Sequence, residues 1–454
     1  MKITMVGLGT VGKAIAMRLS DEGHDITAVD IDENRIEEIA GSVDIMTITG
    51  NGMDHYILEE AGTADADLFI AVTDDDAMNM LCCLMAKKLG VKHAIARVRT
   101  VEYYRQMVFL KEELGISLFF NPENETAIEI SRILRYPSAA KVDSFAKGKA
   151  EIVEFVISHG MELENMPLTM LNKPGSKSRI LICLVKRGEE IIIPKGTTVL
   201  MAEDIAYVVG ATDGVHEFIK TYGIYKRKIK DVLLLGGGRI SLYLGKLLLQ
   251  SGIRVKIIER VPEHCEIIKE ILPKSQVILG EGADPDLLLE EGIGNTDAFV
   301  ALSGSDRDNI ISSIYAKKVS GCKVITKLKD SRYRSMFDVS ELDSVILPTS
   351  VAADFVSSYV RGVAESISSA DIMALHKIAD GKAEVLEFKI VEDSPHLGKP
   401  LSELKIRKKV IVGSIIRADK CIIPGGSDSM RKGDTVIVVS GSTEVRKFED
   451  IFYE

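Results

Sequence analysis

The first residues able to do chemistry lie in two glycine-rich loops. Gly7-Leu8-Gly9-Thr10-Val11-Gly12 follows the apolar run Ile3–Val6 and opens an amphipathic helix, and Asp30 stands 18 residues beyond the last glycine. Each position has a physical purpose. The first glycine makes a tight turn, the second lets the backbone approach a pyrophosphate, and the third lets helix and strand pack closely. The helix N-terminus offers unpaired N–H groups to phosphate oxygens. Asp30 closes the run Ile26–Asp30, where a carboxylate accepts hydrogen bonds from an adenosine ribose and repels a 2′-phosphate. The pattern points to nucleotide binding, with NAD(H) favoured over NADP and with ATP and ADP left open.

The second loop, Gly236-Gly237-Gly238-Arg239-Ile240-Ser241, repeats the first at an offset of 229, and Glu259 answers Asp30 at the same offset. Gly50-Asn51-Gly52 matches Gly280-Glu281-Gly282, Asp76 and Asn79 match Asp306 and Asn309, and Arg97 matches Lys327, all offset by 230. Further on, Ala150–Phe155 resembles Ala383–Phe388, and Ile192–Pro194 resembles Ile422–Pro424. One offset held to within a few residues through helical and strand-rich stretches marks a tandem duplication. Gly50-Asn51-Gly52 either flanks an adenine or is a simple β-turn. Thr73-Asp74-Asp75-Asp76 ends a strand at the carboxyl edge, where such sheets bind ligands; its acids alternatively cap the next helix.

The elements that position these loops follow from periodicity. Ile3–Val6, Ile26–Val29, Leu68–Val72 and Ala94–Val98 are apolar strand runs separated by helical patterns, which predicts a parallel doubly wound sheet. Residues 150–212 change to short strands between Gly, Pro and Asn turns, a small β-rich α/β module. The fold class is α/β, with each half a Rossmann-like sheet followed by a β-rich module. The domains expected are 1–136 and 226–363 for nucleotide binding, with 137–225 and 364–454 as the β-rich modules. Linkers are expected at Pro137–Lys149, at Thr221–Lys230 with its basic cluster Lys226, Arg227, Lys228 and Lys230, and at Ala364–Lys382.

Composition narrows the function. The chain has 454 residues, 46% apolar and 27% charged, which is ordinary globular composition. No apolar stretch approaches the ~18–20 residues of a membrane span, and the first residues lack the pattern of a signal peptide. The six cysteines form no Cys-x-x-Cys pair, so buried thiols in a reducing cytosol are expected rather than disulfides or zinc. A net charge of −10 disfavours a general nucleic-acid binder.

An enzyme needs more than a nucleotide loop. The only Tyr-x-x-x-Lys, Tyr222 to Lys226, falls in a linker, His24 and His93 read as surface residues, and no His/Cys/Asp cluster has metal-ligand spacing. Neither catalytic nor metal-binding residues are assigned. Regulation is favoured, and the alternative is a tandem NAD-dependent oxidoreductase whose substrate pocket the sequence conceals.

The glycine loop with Asp30, the later Gly50-Asn51-Gly52, the Thr73–Asp76 stretch with Asn79, and Ala96-Arg97-Val98-Arg99 together resemble the RCK (regulator of potassium conductance) domain. The β-rich modules, including Leu163 through Pro167 and Leu397 through Pro400, are similar to its C-terminal domain. Two complete copies in one chain resemble the regulatory subunits of Trk-type potassium-uptake systems. The resemblance implies a cytoplasmic ring, expected to be a tetramer, held peripherally on the inner membrane face by a potassium-translocating subunit. NAD(H) or ATP/ADP would change its shape. By position, Gly7, Gly9, Thr10, Val11, Gly12, Asp30, Gly50, Asn51, Thr73, Asp74 and Arg97 would form the first site. Gly236, Gly238, Arg239, Glu259, Gly280, Glu281, Ser303 and Lys327 would form the second.

The two sites are not expected to be equivalent. Arg239 replaces Thr10 beside the phosphate turn, where it either clasps phosphate or points to solvent or toward Glu281. Residues 1–100 hold 9 basic and 17 acidic side chains, whereas 228–330 hold 15 and 14. The expectation is NAD(H) in the first site and ATP or ADP in the second. Some RCK relatives bind divalent cations near Asn121-Pro122-Glu123-Asn124-Glu125, although helix capping is the simpler role for these acids.

Overall fold

The computed structural model describes all residues except 101–105, 108, 136–140, 172–178, 223–228, 337–341, 368–371, 380–381, 442–444, 446 and 454. The basic cluster Lys226, Arg227 and Lys228, and the tyrosine–lysine pair ending at Lys226, therefore lie outside the described residues.

The chain divides into two compact units, residues 1–134 with 229–357, and residues 135–228 with 358–454. In the first unit, strands β1 (Lys2–Val6), β2 (Asp25–Asp30), β3 (Met46–Thr49), β4 (Leu68–Ala71), β5 (His93–Arg97) and β6 (Leu118–Phe120) form a sheet ordered 3-2-1-4-5-6. All its pairs are parallel. β1 and β4 are buried almost throughout, as expected of central strands covered by helices on both faces. The order reverses between β1 and β4, so a crevice opens at their carboxyl ends.

The second half of this unit repeats that sheet. Its strands lie in the order Gln276–Leu279, Arg254–Glu259, Asp231–Leu235, Ala298–Ala301, Lys323–Lys327 and Ser344–Ile346, with Asp231–Leu235 and Ala298–Ala301 at the centre. The helix Pro122–Arg135 buries Ala127, Ile130, Ile133 and Leu134 in one cluster with Val232, Leu234, Ile240, Leu244 and Leu248 of the second sheet and its first helix. Its apolar stripe thus covers the other half of the same chain. The matching helix Pro348–Ile367 returns the contact: Phe355 stacks on Phe120, Asp354 pairs with Arg18 at 3.1 Å, and Ser357 Oγ donates to Glu22 at 2.7 Å.

The second unit holds two five-stranded antiparallel sheets of identical topology, one in the order Glu190–Ile192, Ile180–Arg187, Ile205–Gly210, Ala150–Val156, Lys141–Phe145, the other in the order Lys420–Ile422, Val410–Arg417, Thr435–Ser440, Ala383–Lys389, Ile372–Ile378. The segments expected as linkers are partly strands: Lys141–Phe145 pairs with Ala150–Val156, and Ile372–Ile378 pairs with Ala383–Lys389. Their polar residues hide the alternation, but their ends reach a common core. Phe145, Ile152, Cys183, Tyr207 and Val209 share one cluster with Ile378, Val385, Ile437 and Val439. Arg187 grips Asp204 with two 2.7 Å hydrogen bonds, and Arg417 grips Asp434 in the same fork at 2.9 and 2.7 Å. All six cysteines are free thiols, five of them buried.

Candidate nucleotide-binding clefts

The first loop takes its shape from two glycines that nothing else could replace. Gly7 has φ +101°, and a Cβ there would stand 2.8 Å from the Thr73 backbone nitrogen. A Cβ on Gly12 would lie 1.9 Å from the Gly7 carbonyl oxygen. Gly9 differs. Its φ is an ordinary −63°, and a Cβ would meet only the Arg35 guanidinium, 4.0 Å away. Intrachain packing does not demand a glycine here, and the bare backbone leaves room for a ligand to approach. The loop leads into the helix Thr10–Asp21, which has no side-chain cap, so its first N–H groups remain available at the cleft. Thr10 is exposed, while Val11 and Gly12 are buried behind the loop.

The cleft beside this loop is lined by Val6, Gly7, Gly9, Asp30, Ile31, Arg35, Gly50, Asn51, Thr73, Asp74 and Met78, among others. It gathers most of the first-site residues expected from the sequence; Thr10, Val11, Gly12 and Arg97 stand outside this lining. Ile31, Arg35 and Met78 were not anticipated. Ile31 is three-quarters exposed, an apolar side chain at the rim suited to a base or ribose. Arg35 lies one turn beyond Asp30 with its guanidinium 3.6 Å from the carboxylate. Basic residues within a turn of the acid are a signal that could have found it.

Asp30 is buried and already engaged. One oxygen accepts from Leu8 N at 2.5 Å and the other from Asp32 N at 2.9 Å, so the carboxylate ties the glycine loop to β2. Gly50 N donates to the Asp30 carbonyl at 2.9 Å, and a Cβ on Gly52 would lie 2.3 Å from Val6, which holds the Gly-Asn-Gly turn against the loop. The three acids after Thr73 divide their work. Asp75 caps the helix Asp76–Leu89 by accepting from Met78 N. Asp76 accepts from Arg99 N and Thr100 N at 2.9 Å; burial opposes its ionisation, but these bonds with Arg97 nearby hold its carboxyl below the usual range. Asp74 alone faces the cleft, 3.5 Å from Arg97 and 3.8 Å from Arg99.

Arg97 is buried at the end of β5. Its guanidinium reaches the Thr73 carbonyl at 3.4 Å, its Nε is buried without a partner, and burial with Arg99 nearby lowers its pKa. The fully buried Asn79 holds this corner together. Its Oδ1 accepts from Thr73 N and Oγ1, while its Nδ2 donates to the Thr73 and Arg97 carbonyls.

The second loop rebuilds this geometry with different residues. Gly236 has φ +93° and packs on Ser303, while Gly238 has φ −69° and open space where a Cβ would stand. Ser241 replaces the third glycine without a clash, and its hydroxyl donates to the Gly236 carbonyl at 2.5 Å. Glu259 accepts from Gly237 N at 2.6 Å and Val261 N at 2.9 Å, the roles of Asp30. Gly280 N donates to the Glu259 carbonyl, and Asn309 binds Ser303 and the Lys327 carbonyl as Asn79 does in the first copy. Lys327 Nζ donates to the Leu302 carbonyl at 2.8 Å, and burial with Lys329 alongside pushes its pKa down to about 8. Arg239 and Glu281 are exposed, and among the described residues no ion pair joins them.

Comparison with known proteins agrees with this architecture. Residues 3–122 and 232–348 match the TrkA-N domain, and residues 152–223 and 385–453 match the TrkA-C domain. A Trk system potassium uptake protein TrkA homolog of Archaeoglobus fulgidus is 31% identical over 453 residues, with all of both chains covered. Homolog 1 of Methanosarcina mazei is 32% identical over 459 residues, covering 99% of this chain and all of its own. Among solved structures, the GsuK channel superposes with a TM-score of 0.64 at 15% identity, covering 97% of this chain and 76% of its own. The GsuK RCK domain gives 0.61 at 15% identity, over 97% and 92%. With TrkA-N and TrkA-C each present twice in alternation, the chain belongs to the TrkA family of Trk system potassium uptake proteins.

Proposed function

We propose that this protein is a nucleotide-responsive regulatory subunit of a Trk-type potassium-uptake system, acting in the cytoplasm on a potassium-translocating membrane partner. The observation that carries the nucleotide reading is the pair Gly9 and Gly238. Both have unstrained backbone and open space at the missing Cβ, in both copies at the N-terminus of a helix without a side-chain cap. That is the geometry a pyrophosphate requires. The GsuK channel, whose fold this chain shares with a TM-score of 0.62, has been solved bound to NAD. Among the described residues, no helix is long and apolar enough to cross a membrane, in keeping with a partner that carries the ion path.

The first cleft is assigned to NAD(H), with Asp30, Gly9, Asn51, Thr73 and Asp74 as its contacts. The second is assigned to ATP or ADP. There Arg239 is exposed at the first helical position, free of any ion pair among the described residues, and Gly304 and Ser305 replace Asp74 and Asp75. A polyanion meets less repulsion there. The energetic demand on either site is small. Moving a two-state ring from 1:99 to 99:1 takes about 5.5 kcal/mol, so eight sites in a tetramer need under about 1 kcal/mol each.

Binding calorimetry on the full chain with NADH, NAD, ATP and ADP tests this. The expected result is two classes of site with different nucleotide preference. Absence of binding by all four nucleotides overturns the proposal. Turnover of NADH with a small-molecule acceptor would establish the oxidoreductase alternative.

A further inference from the structure

We propose that the first cleft is wired to the phosphate-binding helix of the second copy through one hydrogen bond, between Asn121 and Tyr243, so that a nucleotide in the first cleft alters the second loop. The proposal rests on the nucleotide assignment of the first cleft.

The path starts at Asp74. Its carboxylate faces the cleft, is mostly exposed, and is held only by long contacts to Arg97 and Arg99 at 3.5 and 3.8 Å. A phosphate arriving beside it competes for the same guanidinium groups and repels the carboxylate. Arg99 is the second link. Its Nε donates to Glu123 Oε1 at 3.1 Å, and its carbonyl accepts from Asn121 Nδ2 at 3.1 Å.

Asn121 is the junction. It is fully buried, its Oδ1 caps the helix Pro122–Arg135 by accepting from Asn124 N, and its Nδ2 also donates to Tyr243 Oη at 3.1 Å. Both amide protons and the carbonyl oxygen are therefore in use, and a buried amide in that state moves with its partners or leaves one unsatisfied. Tyr243 belongs to the helix Arg239–Gln250, one turn beyond Arg239 and two residues beyond Ser241. A shift of the Arg99 backbone thus reaches the mouth of the second loop in two hydrogen bonds.

Among the described residues the equivalent positions of the other copy do not repeat this relay. Gly304 stands where the first copy has Asp74, Leu347 where it has Asn121, and Ala14 where the second copy has Tyr243. A leucine and an alanine form no side-chain hydrogen bond. The contacts on that side, Arg18 with Asp354 and Glu22 with Ser357, lie two turns or more from the first loop. The polar relay therefore runs through the Asn121–Tyr243 bond, and by linkage the coupling it carries is felt equally from either end.

Hydrogen exchange on the full chain, with NADH and separately with ADP, tests the path against Tyr243→Phe, which keeps the ring and removes only the hydroxyl. In wild type, the nucleotide that slows exchange at 7–12 should also change exchange at 239–243 by about fivefold or more. Tyr243→Phe should keep the first effect and lose the second, and Asn121→Leu should do the same. An unchanged response at 239–243 in Tyr243→Phe overturns the proposal, because direct occupancy or another route then carries the signal. Protection at 7–12 with no response at 239–243 in wild type also overturns it. If neither nucleotide protects 7–12, the cleft assignment itself fails, and the relay with it.

Discussion

The two glycine loops reach the same backbone geometry by paired substitutions. In the first copy Leu8 donates to the short Asp30; in the second, Glu259 is one methylene longer and meets Gly237, which has no side chain. A Cβ at Gly237 would stand 3.1 Å from the Glu259 carboxylate and 2.2 Å from Ile268, so the two changes depend on each other. His264 approaches Glu259 at 3.8 Å from the position where Arg35 approaches Asp30. Lys327 stands where the first copy has Arg97, and burial pushes its pKa down to about 8. The frame is preserved at the backbone, and the chemistry facing the ligand is free to change.

The sharpest test of that comparison exchanges the third loop position. Gly12→Ser places an atom where the Gly7 carbonyl stands 1.9 Å away, and should destabilise the protein by about 2–3 kcal/mol in urea unfolding and abolish nucleotide binding in the first cleft. Ser241→Gly removes one hydrogen bond and should remain within about 1 kcal/mol of wild type. Equal losses would mean that the two loops are spaced alike.

A smaller effect separates the ligands. Arg239→Ala should weaken ATP binding by more than about tenfold, the worth of a charge-assisted hydrogen bond, and Asp30→Ala should leave ATP unaffected. If Arg239→Ala leaves ATP binding intact and Asp30→Ala removes it, the ligands are assigned to the wrong copies.

The smallest expected effect is a pH dependence confined to the second site. A phosphate favours the protonated Lys327, whose pKa burial sets at about 8. Affinity at that site should therefore fall as pH rises from 7 to 9, by up to about tenfold, while Arg97 keeps its charge and the first site is unaffected. Lys327→Arg should flatten the profile. A profile that persists in Lys327→Arg assigns the titration to another group.

Much of this was legible in the chain because duplication supplies its own control. The repeated glycines, Asp30 with Glu259, and the spacing to Asn79 and Asn309 identified the sheet and the corner of each cleft. The roles within Thr73–Asp76 were not legible. Three adjacent aspartates look alike in sequence, and only the helix start at Asp76 and the return of Arg99 make one a cap, one a strap and one a cleft residue. Ile31 and Arg35 were missed because their significance depends on which way the chain turns after β2. The strand Lys141–Phe145 reads as a linker in sequence because its apolar residues, Val142 and Phe145, serve different clusters and break the alternation.

The shared core of the β-rich modules bears on how such a chain arose. Phe145, Ile152, Tyr207 and Val209 are covered by Ile378, Val385, Ile437 and Val439, so half a chain would turn that face to water. A single copy would need a second copy to cover that face, and in such a homodimer any substitution appears on both partners at once. In one chain a tether replaces that encounter, at an effective concentration in the millimolar range for a short linker. It also leaves each copy able to differ from the other. Arg239, Lys327 and Tyr243 each stand in one copy alone, which a homodimer of identical single copies could not achieve.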